Sequence, residues 1–487
     1  MGGAGFTADR LAPDEPLNPR TETMLQALLA CLSLSTAPSL APAPQAARPL
    51  RPWTILVYGG ADNNADGPIL GFLDDVRKAI DDDPGIELLL LIDRSEKFSD
   101  DAEMLGEDFT GARLYRLRKD SAERLSGDKE FPELTLGGED AELDSADADN
   151  VRRFIAWGKA HYPARRTGLM IYSHANGETM CPDEESGRDM GIPELSQLLT
   201  EKESLDFMAL ELCNMGGIEI SYQWRPEMGR FGADVLLAIP NAGPPLDWDR
   251  AFARIRSKGH DASPLAPPFL DPATMTGADF GNLVIEEGRR GRELAAKERP
   301  ERAAHEAAAC YDLRRAKDVK HAVDALAVAL AASEDAREYF MEMRGPGPIG
   351  DAMTYDQGGP FIDLYDLCRR TAECDALSDT VRAKARAVMD ALGSFVLASF
   401  GMSGYEGFES RKNGVFIILP ANEPGRWKNF RWYTPGAHEE GGKDFGRWAF
   451  LADGATPANG RVENWFELLD CWFDAADDAG GVNGYRY

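Results

Sequence analysis

Two short apolar runs, each closed by a polar turn, constrain this chain more than anything else in it. One reads Gly168-Leu169-Met170-Ile171-Tyr172-Ser173 and ends in His174-Ala175-Asn176-Gly177. The other reads Asp206-Phe207-Met208-Ala209-Leu210 and leads through Glu211-Leu212 to Cys213-Asn214-Met215-Gly216-Gly217. Apolar runs of this length suit strands covered on both faces. Gly216-Gly217 and the stretch up to Trp224 predict a turn opening a helix. Open parallel sheets place their ligands at the carboxyl ends of such strands. His174 and Cys213 both fall at that edge. Taken one at a time, a cysteine after a strand is a small buried hydrophobe and a lone histidine is structural. It is their shared placement that matters.

Similar runs recur at 53–58, 86–92 and 234–239. Helical patterns lie between the runs. Over 68–80 the residues Ile69, Phe72, Leu73, Val76, Ala79 and Ile80 form one stripe, and a second helix is predicted over 151–161. Pro193 opens a further helix over 193–199. This alternation predicts an α/β fold with a mostly parallel sheet flanked by helices. Past 260, Pro264, Pro267, Pro268 and Pro272 mark a boundary. Helical regions are expected over 274–343 and 361–400, with a Gly/Pro-rich break between them and a late strand over 414–419. The tail carries Trp427, Trp432, Trp448, Trp465 and Trp472, whose expected use is core packing. The organisation read from this is a leader and linker over 1–50, a sheet domain over 51–260 and a helix-rich region over 261–487.

Acidic residues outnumber basic ones by 82 to 53, a formal net charge of −29. That argues against nucleic acid as a partner, since phosphate binding needs a basic face, and suits cationic peptides. The seven cysteines show neither metal-ligand spacing nor a disulfide framework. An acidic, Gly-rich stretch over 120–149 has two readings, a calcium-binding loop or a solvated one. It lacks the EF-hand pattern, so no cofactor is expected. The apolar residues 24–34 have the length of a signal-peptide core and are too short to span a membrane. With a Pro/Ala-rich stretch behind them, 24–46 is a candidate signal segment, but basic residues in front are mixed with acidic ones. The location is left between export and the cytoplasm.

Several motifs fall in a recognisable order. Trp53-Thr54-Ile55-Leu56-Val57-Tyr58 precedes Asp62-Asn63, and a strand from Leu88 ends in Asp93-Arg94. Tyr162-Pro163-Ala164 precedes the His174 strand, and Glu211-Leu212-Cys213-Asn214-Met215 carries the cysteine. Later come Asp363-Leu364-Tyr365-Asp366 and a Gly414-led strand ending at Pro420. In this order the chain resembles the clostripain family of cysteine peptidases, which have a caspase-like fold, from about Trp53 to about Trp465. Caspase-type enzymes share the arrangement of a histidine some tens of residues upstream of the cysteine. Here Ala175 stands where the family has Gly, Glu211 where it has Asp, and 240–248 follows the family pattern loosely.

The resemblance implies an endopeptidase cutting after basic residues, Arg preferred, with protein or peptide substrates. Cys213 would be the nucleophile, His174 its proton carrier, and the N–H groups of Ala175 and Cys213 the oxyanion donors. Glu211 would be the anion facing a basic substrate side chain, with Asp247 as a second wall. No third member of a triad is evident. Family members often cut themselves after a basic residue between the His and the Cys. That implies processing near Arg188, in the polar turn 181–189, with Lys202 as the alternative. The competing reading is a weakly active or inactive caspase-like module that binds peptide.

Overall fold

The computed structural model describes residues 50–80, 82–99, 103–135, 141–260, 263, 265–341, 352–355, 360–419, 448–456 and 459–473. The candidate signal segment, Trp427, Trp432, Gly137-Gly138-Glu139-Asp140 and most of the Gly/Pro-rich break lie outside them.

The first part of the chain supplies β1 (Arg51–Ala61), β2 (Ile86–Arg94), β3 (Gly111–Arg118), β4 (Ser121–Arg124) and β5 (Ala164–Tyr172). Then come β6 (Thr179–Asp183), β7 (Arg188–Gly191), β8 (Phe207–Glu211), β9 (Val235–Ala238) and β10 (Ala307–Asp312). β11 (Phe361–Asp363), β12 (Val396–Gly401) and β13 (Phe416–Ile418) follow. Nine of these form one sheet in the order β12-β10-β9-β8-β5-β1-β2-β3-β4. The run β9-β8-β5-β1-β2 is parallel throughout, and each flank is antiparallel. The five runs expected as strands are these five parallel strands. β6 pairs with β7, and β11 with β13, as separate two-stranded sheets.

Successive strand residues face opposite layers, so each strand feeds two cores. Leu56, Leu89, Leu169, Ile171, Met208 and Leu210 point into one. Ile55, Val57, Leu88, Leu90, Met170 and Ala209 point into the other. α1 (Asp66–Ala79) covers the second face with the apolar stripe read from the sequence. A buried pair of parallel hydrogen bonds from Arg94 to Asp66, each 2.9 Å, pins β2 to that helix. α2 (Ala148–His161) covers the first face, and Asp147 caps it by accepting from Asp149 N–H. α3 (Ile192–Leu198) has Pro193 in its first turn, and α4 (Ile218–Gln223) opens just after Gly217.

The later chain departs from expectation. The helix over 274–343 is instead α5 (Gly277–Glu298), then β10, then α6 (Ala316–Ala331). Ala307-Ala308-Ala309 favours helix locally, but its position between β9 and β12 imposes a strand. Residues 361–400 divide into β11, α7 (Leu364–Glu373), α8 (Asp379–Phe395) and β12. The residues past 260 therefore extend the same sheet, and Leu50–Tyr487 groups as one unit. The late strand is β13. Trp448, Trp465 and Trp472 are core residues, at most 5% exposed.

Candidate functional site

β5 and β8 run side by side in register from Gly168 opposite Phe207 to Tyr172 opposite Glu211. His174 and Cys213 each lie two residues further on, where the chains leave the sheet. Both are half-buried and line one cleft of about 540 Å³. Tyr172 and Glu211 form part of its floor, while Pro244, Pro245, His305 and Glu306 stand around it.

The His174 turn is fixed by the β6 segment. Cys181 N–H donates to His174 O at 3.0 Å, and Asn176 N–H to Thr179 O at 3.2 Å. Ala175 and Met180 between them are a non-hydrogen-bonded antiparallel pair, so the Ala175 N–H turns away from Met180. Burial pushes the His174 imidazole below its ordinary pKa. Its Nε2 is buried without a hydrogen-bond partner among the described residues.

The Cys213 turn is tied to the end of β9. Asn214 N–H donates to Asn241 O at 3.1 Å, and Met215 N–H to Ile239 O at 2.8 Å. Asn214 takes a left-handed φ of 59°, which Asn tolerates better than most residues. Gly216 lets the backbones close: a Cβ there would sit 2.7 Å from Pro240 Cα. Gly217 rests against the ring of Phe416, whose N–H donates to Gly216 O at 3.0 Å. Buried Asp363 holds this buttress, accepting from Asn413 Nδ2 at 2.7 Å and Gly414 N–H at 2.9 Å. Neither the Ala175 nor the Cys213 N–H donates to a described acceptor; Cys213 lines the cleft, and Ala175 follows His174, which does.

Glu211 is buried beneath the cleft. One of its oxygens accepts from Leu246 N–H at 3.0 Å and the other from the Trp248 indole at 2.8 Å. Burial raises its carboxyl to about 7, against the pull of those hydrogen bonds and of Arg292. Asp247 does not line the cleft. It pairs at 3.2 Å with Arg292, which also donates to Pro244 O and Pro245 O and pairs with Glu306. Arg292 thus braces the cleft wall from behind, and Glu306 is the acid on that wall. Sequence reasoning missed both. Arg292 lies inside an Arg/Glu-rich helix and Glu306 at the edge of an Ala-rich run, so neither stands out locally.

Arg188 begins β7, and its guanidinium bonds to Asp144 at 2.9 Å. The hairpin tip before it, 184–187, is exposed. Lys202 is exposed in a short turn over Glu201–Glu203. Neither lines the cleft. The carboxylates of Asp62, Glu142 and Asp183 gather elsewhere, close enough to share a cation. No helix among the described residues is long and apolar enough to cross a membrane.

A thiol and an imidazole at adjacent strand ends, beside two unengaged N–H groups, can carry out acyl transfer through a covalent intermediate. Comparison with known proteins agrees with that chemistry. Residues 57–448 match the clostripain family. The chain is 32% identical over 479 residues to clostripain of Hathewaya histolytica, covering 89% of each protein. Its fold is similar to the crystal structure of an inactive zymogen C11 protease from Parabacteroides distasonis, with a TM-score of 0.52 and 16% identity over 79% of this chain and 98% of that one. The chain belongs to the clostripain family and is a cysteine-type endopeptidase acting on protein or peptide substrates.

Proposed function

We propose that the enzyme hydrolyses peptide bonds after basic residues, Arg before Lys, with Cys213 as nucleophile and His174 as its proton carrier. The placement of both side chains on one cleft at the ends of register-paired strands carries this reading. His174, neutral because burial disfavours its charge, takes the thiol proton. The sulfur bonds to the carbonyl carbon, and the carbonyl oxygen takes up the electron pair. The N–H groups of Ala175 and Cys213 receive that oxyanion. One such donor is worth about 3 kcal/mol of barrier. The C–N bond then breaks as His174 returns its proton to the leaving amine. Water attacks the thioester by the same route, freeing the acid product and restoring the thiol.

Glu211 supports the basic preference. A carboxylate offers about four lone-pair directions, and Leu246 and Trp248 use two. The remaining directions suit a guanidinium, whose planar fork can engage both oxygens at once. Glu306 adds a second acid on the wall, and Asp247 contributes from behind it through Arg292. Self-processing at Arg188 requires its pairing with Asp144 to open, whereas Lys202 is already exposed. Kinetics on matched substrates with Arg, Lys or Leu before the cut test the reading. The expected order is Arg, then Lys, then Leu, and turnover by Cys213→Ala would contradict it.

A further inference from the structure

We infer, on the reading of Cys213 as nucleophile and of a basic residue before the cut, that Arg302 forms a second subsite, one that takes a carboxylate side chain on the residue directly after the cut. Arg302 lies on a short helical turn, Pro300–Ala303, between α5 and β10. It is exposed and lines the same cleft as His174 and Cys213. It makes no hydrogen bond or ion pair among the described residues. The acids of the cleft are engaged elsewhere: Glu306 pairs with Arg292, and Glu211 accepts from Leu246 and Trp248. A guanidinium keeps its proton at any working pH, so the cleft wall carries a fixed positive charge. The chain as a whole, at −29, repels acidic substrates, and a local cation is what an acidic side chain needs to settle there.

The backbone that carries Arg302 is fixed. Ala304 N–H donates to Pro300 O at 3.0 Å, and Ala304 O accepts from Gly404 N–H at 2.7 Å. His305 O accepts from Asn241 Nδ2 at 2.9 Å and from the Tyr405 hydroxyl at 3.1 Å. Glu306 O accepts from Met402 N–H at 2.9 Å. Asn241 O in turn accepts from Asn214 N–H, which ties this segment to the residue after Cys213. The His305 ring stands edge-on to Tyr405, and Gly404 leaves room for it: a Cβ there would sit 2.5 Å from its Nδ1. Arg302 is thus anchored at its base, with its charged end open to the cleft.

The chain's own sequence supplies the matching chemistry. Arg188 is followed by Asp189, and Lys202 by Glu203. These are the two basic residues proposed for self-processing, and in each an acid stands directly after the cut. A guanidinium and a carboxylate pair through two parallel hydrogen bonds, which fixes orientation as well as charge. The substrate class this implies is a basic residue followed at once by Asp or Glu.

Cutting of a mixed library of amide-capped peptides by the full-length enzyme, read by mass spectrometry, reports the residues before and after each cut separately. A failure of the basic preference and a failure of the Arg302 subsite are thereby told apart. The parent should favour Asp or Glu over Asn or Gln directly after the cut at least threefold. Arg302→Gln should lose that preference and Arg302→Glu should reverse it, and added salt should weaken it in the parent. Arg302 is exposed, so both variants should melt with the parent. No preference for an acid after the cut in the parent, or one that survives in Arg302→Gln, would overturn the subsite.

Discussion

Tyr172 and Glu211 face each other as the last register partners of β5 and β8. One pairing thus sets both halves of the site. His174 and Cys213 leave the sheet together, and Glu211 lines the same cleft. The sheet fixes where Cys213 and its neighbouring acid stand, and the flanking turns only aim them.

Glu211→Gln keeps the shape of the side chain and removes its charge. It should lower kcat/KM for an Arg substrate at least tenfold, about 1.4 kcal/mol. A Leu substrate should change little. Steady-state kinetics on the two substrates decide this, and an unchanged Arg-to-Leu ratio would rule out Glu211 as the specificity acid.

The ratio should also depend on pH. Burial lifts Glu211 to about 7, above its unfolded value. Its neutral form therefore favours folding at low pH, and that contribution fades as pH rises through about 7. Binding of a guanidinium needs the ionised form. The Arg-to-Leu ratio of kcat/KM should climb through the same range, and it should be flat in Glu211→Gln. His174 shifts the other way, so its neutral form persists below the ordinary imidazole pKa of about 6.5. Both substrates should share an acid limb below that value. Paired pH profiles check both statements.

Gly216→Ala should damage the site through the backbone. The added methyl meets Pro240 Cα, a main-chain atom that cannot swing aside. Overpacking of this kind costs about 1–3 kcal/mol. The Cys213 turn should shift with it, so thermal melting and kcat should both fall. Ala at the exposed Gly393 of α8, where nothing lies within 4 Å of the added methyl, should leave kcat unchanged.

Intact-mass analysis should show the purified enzyme as two pieces and Cys213→Ala as one. If the cut follows Arg188, Arg188→Ala removes it and Lys202→Ala does not. The reverse pattern moves the cut to the exposed Lys202 turn. Identical single-chain masses for the enzyme and Cys213→Ala would refute self-processing.

Much of this was legible in the sequence where one segment makes its own case. The five parallel strands are near-continuous apolar runs, and the stripe of α1 and the Pro193 start of α3 are local signals. β10 was not legible, because Ala-rich sequence becomes strand only when two neighbours receive it. The β6–β7 hairpin reads as a polar turn, since its short strands hardly alternate. In the site, His174 and Cys213 announce themselves by following strands, and Glu211 by ending one. Arg292 and Glu306 do not, because they reach the cleft wall only through tertiary packing. Nor did the sequence reveal that Glu211 would hold Leu246 and Trp248, or that Asp93 would be buried among other acids.

The central claim is that Cys213 becomes covalently bound to substrate in a cleft that accepts a basic side chain, with His174 as its partner. An electrophilic peptide probe with Arg at the reactive position, mapped by peptide mass spectrometry, tests it most directly. The account predicts a single adduct on Cys213. It predicts much slower labelling of His174→Ala and of the wild type by a Leu probe. Labelling spread over other cysteines, or equal rates for the Arg and Leu probes, would contradict it.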